Sequence, residues 1–206
     1  MIGFDSLATM AGEELHLRGA DGARRAKLWL EATTRANVYY VTPEPVAVAK
    51  LSYQWADGRG FSYDLGGVLL GGEFQGHEFV AESKFYNGHH DQGTLYVEFL
   101  AKCYRALSLQ PARIDHFMWI TWAPFLVTRW PDLCSPNEVR SAVLTHHRRV
   151  FGCPRDHEGS LVSDETCESV AERLWIIVLS ERQEKLVISA ENLNILRGIG
   201  TARGAR

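Results

Sequence analysis

Apolar and polar positions along the chain switch between a helical and a strand-like period, and the switches lay out the elements. From Asp21 to Asn37 an apolar stripe of Ala26, Leu28, Trp29, Leu30 and Ala32, with Asp21 as cap, predicts the first clear helix. Residues 1–20 are mixed and predict no element. Val38 to Val41 is short and β-prone, and Pro43 and Pro45 then break the chain. Val46 to Tyr53, VAVAKLSY, predicts a strand, and Trp55 to Gly60 a turn. Phe61 to Tyr86, FSYDLGGVLLGGEFQGHEFVAESKFY, reads as a β-hairpin: two apolar runs around the glycine-rich polar break Gly71–Gly76. Asp91 to Leu107 carries Leu95, Phe99, Cys103 and Leu107 at four-residue spacing and predicts a second amphipathic helix.

Ile114 to Val127 is too hydrophobic for an exposed edge and predicts a buried strand interrupted at Pro124. Asn137 to Phe151 predicts a third helix, Asp164 to Arg173 a short one capped by Asp164, Leu174 to Ser180 a further buried strand, and Ser189 to Arg197 a last helix. The terminal GIGTARGAR reads as a disordered tail. The expected class is α/β (α+β): a central mixed sheet with an early antiparallel hairpin, flanked by helices. A single domain over 1–206 is expected, with its core in 21–127, additional helices and a strand in 128–198, and the tail in 199–206.

Composition narrows the function classes. The 206 residues are 46% hydrophobic and 23% charged with a formal charge of −3, so any nucleic-acid binding has to come from a local basic groove. Cys103, Cys134, Cys153 and Cys167 stand at wide, irregular spacings without a CxxC pair, which suits reduced thiols in a cytoplasmic protein. MIGFDSLATMAGEEL lacks the apolar run of a secretory signal, and no stretch approaches the roughly 20 apolar residues of a membrane span.

The chemistry concentrates in the hairpin. A strand has period two, so Glu82 and Lys84 point to one face. If the turn centres near Glu73, antiparallel pairing brings Asp64 opposite Glu82 on that face, and a one-residue slip would separate them. Two carboxylates and an ammonium on one patch suit a divalent metal beside a phosphate. The plain alternative is a solvent-facing ion pair. Arg24, Arg25, Lys27 and Arg35 make the first helix the most basic, as a solvated face or a phosphate-facing edge. His89 and His90 follow the hairpin and suit a solvent loop, a substrate contact, or a transition metal. His146-His147-Arg148-Arg149 gives the third helix a basic end that complements its dipole, with a nucleic-acid backbone contact as the alternative. Trp119, Trp122, Phe125 and Trp130 read as packing. There is no GxSxG and no P-loop.

The order α-β-β-β-α-β, with Asp64 on the second strand and Glu82-x-Lys84 on the third, seventeen residues lying between the two acids, resembles the PD-(D/E)xK nuclease superfamily with its restriction-endonuclease-like fold. The resemblance covers roughly 21–127. It implies Mg²⁺, with Mn²⁺ as a substitute, held by Asp64, Glu82 and the Ser83 carbonyl, and Lys84 on the attacking water or the scissile phosphate. Gln92 and Tyr96, one helical turn apart, match the QhxxY motif of the family's exonuclease branch except that Gly93 stands at the apolar position. Tyr63 stands where the family's leading proline would be. Glu31, with Glu14 behind it, is the candidate for the acid many members place on the first helix. The implied activity is hydrolysis of phosphodiester bonds, in DNA ahead of RNA, in a setting such as bacterial restriction or anti-phage defence. A homo-oligomer or a partner protein would supply specificity. Two rivals stand beside it: the same fold as a catalytically inactive binding or assembly module, and an unrelated α+β enzyme using His89 or His90 with another metal.

Overall fold

The structure is a computed structural model that describes residues 4–85, 91–154 and 161–204. It shows a mixed α/β fold. Helix α1 spans Phe4–Thr33, starting well before and ending short of the expected bounds. The Thr33 and Thr34 hydroxyls donate to the Trp29 and Leu30 carbonyls, and the Thr34 hydroxyl also accepts from the Ala36 N–H. Such hydroxyls compete with helical bonding, and the chain turns directly into strand β1, Ala36–Val41.

The expected strand Val46–Tyr53 is largely a helix, α2, Pro45–Leu51. Pro45 sits in its first turn, where the fixed φ suits a helix and the missing N–H costs nothing. Only Ala47 and Leu51, four apart, are buried, while Val46 is 64% exposed. The β-branched residues suggested a strand, but burial follows the helical period. Ser52–Gln54 (β2) then pairs with Gly60–Ser62 (β3) in a two-stranded ribbon, with Tyr53 stacked on Phe61.

The hairpin forms from β4, Leu65–Leu69, and β5, Glu78–Lys84. Their register, Leu65↔Ala81 through Val68↔Glu78, centres the turn on Glu73. Gly71, Gly72 and Gly76 all take positive φ there, the left-handed backbone that glycine adopts without strain. Helix α3, Gln92–Leu109, crosses over to β6, His116–Thr121, which runs parallel to β5 and is buried along its whole length. Trp119 and Ile120 are fully buried, as expected of this stretch.

The third predicted helix is two: α4, Pro136–Thr145, and α5, His147–Phe151, separated at His146. Helix α6, Asp164–Glu172, is capped by Ser163, whose hydroxyl accepts from the Thr166 N–H, rather than by Asp164. Strand β7, Leu174–Val178, is parallel to β6 at the sheet edge and only half-buried, not the core strand expected. Helices α7, Glu181–Glu184, and α8, Ala190–Gly204, close the described chain, so residues 199–204 are helical where a disordered tail is expected.

The sheet order is β1-β4-β5-β6-β7, antiparallel up to β5 and parallel beyond. Two apolar layers cover it. Ala23, Ala26 and Leu30 of α1 pack with Leu65, Phe79, Ala81 and Ile120 on one face. Tyr96, Phe99 and Cys103 of α3, with α4 and α6, pack on Tyr63, Val80, Phe117 and Trp119 of the other. The four cysteines are unpaired. Among the described residues no helix is long and apolar enough to cross a membrane.

Candidate active site

Alternation along β5 divides its residues between the two layers. Phe79 and Ala81 face α1, and Val80 faces α3. Glu82 and Lys84 continue the Val80 side. Asp64 stands at a bend just before β4, where the regular ladder ends at Leu65↔Ala81; its N–H donates to the same Ala81 carbonyl at 2.9 Å, which holds it at the end of β5 beside Glu82. The Ser83 N–H donates to Asp64 Oδ2 at 2.8 Å. A strand residue directs its N–H and C=O to the same side, so the Ser83 carbonyl also faces Asp64.

Two lysines hold these acids. Lys84 Nζ donates to Glu82 Oε2 at 2.7 Å and lies 3.8 Å from Asp64 Oδ2. Lys102 Nζ, from α3, donates to Glu82 Oε1 at 2.6 Å and to the Ser62 carbonyl at 3.4 Å. Glu82 is 2% exposed, so both of its oxygens need these partners. Burial acts to raise its pKa, but the two ammonium groups outweigh it and hold Glu82 at about 2. Asp64 goes the other way. Burial and the neighbouring Glu82 charge push it up to about 6, against the pull of Lys84, the Ser83 N–H and Lys102. One acid that ionises easily beside one that resists ionisation is a pattern concentrated at functional sites.

The group opens into a cleft of about 380 Å³, lined also by Arg59, Glu98 and Arg149. A larger hollow of about 630 Å³ lies further along the same strands, among Tyr39, Tyr40, Tyr53, Lys50 and Arg113. Its one lining carboxylate is Glu78, so the convergence of acids and cations belongs to the smaller cleft.

The other sequence candidates lie elsewhere. Glu31, on the α1 face, accepts from the Val38 N–H at 3.1 Å and sits 3.8 Å from Lys27. Arg24 is exposed on α1, across the sheet from the cleft. Arg25 is bound to Glu184 and stacks over Phe85 at 3.8 Å, so it too is turned away. Gln92 and Tyr96 are buried in the core. Gln92 Oε1 accepts from the Thr121 hydroxyl at 2.8 Å, and the Tyr96 hydroxyl donates to the Leu133 carbonyl at 2.8 Å. His89 and His90 lie outside the described residues, as does the Glu14 side chain.

Sequence reading missed Lys102. The signal was the polar stripe Glu98, Lys102 and Arg105 along α3, which the apolar stripe beside it obscured.

Among the described residues no group of three His, Cys, Asp or Glu side chains converges. The fit to Mg²⁺ rests on donor chemistry: two carboxylates and a carbonyl, all hard oxygens, in a number typical of a cation that keeps several waters. Asp64 is raised by burial first and by the Glu82 charge second, and a cation between the two acids would relieve that second effect.

No protein-family model matches the chain, and no curated protein does. Among solved structures the chain is similar to a Cap4 SAVED/CARF-domain containing receptor from Moraxella osloensis, at 12% identity and a TM-score of 0.36. The match covers 81% of this chain and 34% of that one, so this chain spans about a third of the receptor's length.

Proposed function

We propose that the chain is a metal-dependent nuclease that hydrolyses phosphodiester bonds, in DNA ahead of RNA. The observation that carries this reading is the contact geometry at the end of β5, where the Ser83 N–H holds Asp64 and Lys84 lies close to both Asp64 and Glu82. The path α1-β1-β4-β5-α3-β6, three antiparallel strands and then a helix leading to a parallel strand, supports it as the arrangement implied by the PD-(D/E)xK resemblance.

Mg²⁺ bound at Asp64, Glu82 and the Ser83 carbonyl would supply a Lewis acid for the phosphoryl oxygens and a lowered pKa for water. The chain's own groups do the rest. Lys84 presents its ammonium beside both carboxylates, where it can hydrogen-bond an attacking water or a non-bridging phosphate oxygen. Lys102 keeps hold of Glu82 Oε1 and so fixes the carboxylate plane while Oε2 exchanges partners. Asp64 is oriented by the Ser83 N–H.

The test is cleavage of plasmid DNA, single-stranded DNA and RNA by the purified protein with Mg²⁺ or Mn²⁺. Wild type cuts; Glu82→Ala and Lys84→Ala do not, with circular dichroism unchanged. A folded wild type that cuts none of these substrates refutes the reading. One observation favours a second reading, a non-catalytic binding or assembly module: both Glu82 oxygens are already taken by lysines. That reading is supported if Glu82→Ala lowers stability and there is no cleavage to lose.

A further inference from the structure

We propose that Arg59 and Arg149 form a phosphate-binding pair on the wall of the cleft, so that the site takes a polynucleotide strand rather than a mononucleotide or small diester. The proposal deepens the nuclease reading and rests on nucleic acid being the substrate.

Backbone contacts bring the two arginines to one wall. The β2–β3 ribbon forms that wall, and its turn is closed by the Trp55 N–H donating to the Arg59 carbonyl at 2.8 Å. The next residue of the turn docks on α5, with the Ala56 N–H donating to the Arg149 carbonyl at 2.8 Å. Trp55 is buried beneath, with the Arg149 guanidinium 5.9 Å from its ring. The position of both residues is thus set by main-chain bonds and an aromatic anchor, while each guanidinium is held by an ion pair with a carboxylate.

Their acidic partners are exchangeable. Arg59 pairs with Asp57 two residues away and keeps 62% of its side chain exposed. Arg149 pairs with Glu98 at 3.0 Å and is 32% exposed. Pairs at such exposure are weakly held against solvent and salt, and a guanidinium matches a phosphate in bidentate geometry. The other two cations of the cleft, Lys84 and Lys102, are engaged with Glu82. Among the described lining residues the arginines are therefore the cations left for phosphates flanking the scissile one. A chain of net charge −3 needs such a local cluster to hold a polyanion.

The test reads binding by fluorescence anisotropy of a labelled single-stranded DNA in EDTA, titrated between about 50 and 200 mM salt. Each single-strand phosphate contact contributes about 0.7 to the slope of log K against log salt, so R59A/R149A lowers the slope by about 1.4. R59K/R149K restores it, because charge rather than shape sets the slope. R140A is the control. Arg140 on α4 pairs with Asp164 at 2.5 Å and is not among the residues lining the cleft, so its removal leaves the slope at the wild-type value. A wild type that does not bind, an unchanged slope in R59A/R149A, or an equal drop in R140A overturns the proposal. Cleavage in Mn²⁺ is scored separately: binding with the predicted slopes but no cleavage refutes the nuclease reading and leaves the arginine pair standing.

Discussion

Replacing Asp64 by Asn should stabilise the metal-free protein at alkaline pH, and the size of the gain follows from the site. Asn keeps an oxygen for the Ser83 N–H and removes only the charge. Below the ordinary value of 3.8 the Asp64 carboxyl is protonated folded or unfolded, and the fold carries no penalty. As pH rises from 3.8 through about 6 the unfolded chain gives up a proton that the folded chain keeps, so stability is lost over that window and about half of the loss still lies between pH 5 and pH 8. The gap between 3.8 and about 6 is worth about 3 kcal/mol at roughly 1.4 kcal/mol per pH unit. The side chain keeps 25% of its surface in water, and screening brings the expected gain to about 1–3 kcal/mol. Glu82 does not confuse the measurement. Its contribution is present above 4.5 and is lost only as pH falls toward about 2.

Urea unfolding in EDTA, followed by tryptophan fluorescence, measures both proteins at about pH 5 and about pH 8. D64N should gain on wild type between the two. The reasoning is refuted if D64N is the less stable at the higher pH, or if the difference is the same at both.

Three further outcomes follow from the same geometry. Mg²⁺ should raise the melting temperature of wild type by mass action and leave D64N unmoved; equal shifts in both would place the ion elsewhere. Lys102→Met leaves Glu82 Oε1 without its charged donor and should cost about 2–3 kcal/mol; a double-mutant cycle with Glu82→Gln that couples by less than about 0.5 kcal/mol would contradict it. Gly67→Ala places a Cβ 2.0 Å from the Asn37 carbonyl oxygen, so the β1–β4 ladder must shift at a cost of about 3 kcal/mol or more, read as a lowered urea midpoint.

The register of the hairpin was legible because the glycines and polar residues of 71–76 have no other place to turn, and a turn centred on Glu73 leaves one pairing. Of the strand expected over Ile114–Val127 only His116–Thr121 forms, and it was legible from the apolar run Phe117–Ile120. Helix α2 was not, because Val46 and Val48 favour a strand locally while the buried pair Ala47 and Leu51 is set by tertiary packing. Alternation assigned residues to one side or the other of their own strand, but it gave no sign of which sheet face α1 would cover. Glu31 as the first-helix acid, and Arg24 and Arg25 as a phosphate-facing edge, therefore fail because the sheet separates them from the site, while the solvated-face alternative suits the exposed Arg24. Lys102 came from an element read for its core side alone.

Asp64 and Glu82 together carry as much negative charge as Lys84 and Lys102 carry positive, so the resting cluster is close to neutral. It has little net attraction for a polyanion. A divalent cation seated among these four groups turns the cluster into a net positive centre. For the proposed nuclease the electrostatics would set an order of events: a first hold of the strand through Arg59 and Arg149, and its strongest pull only once the ion is seated.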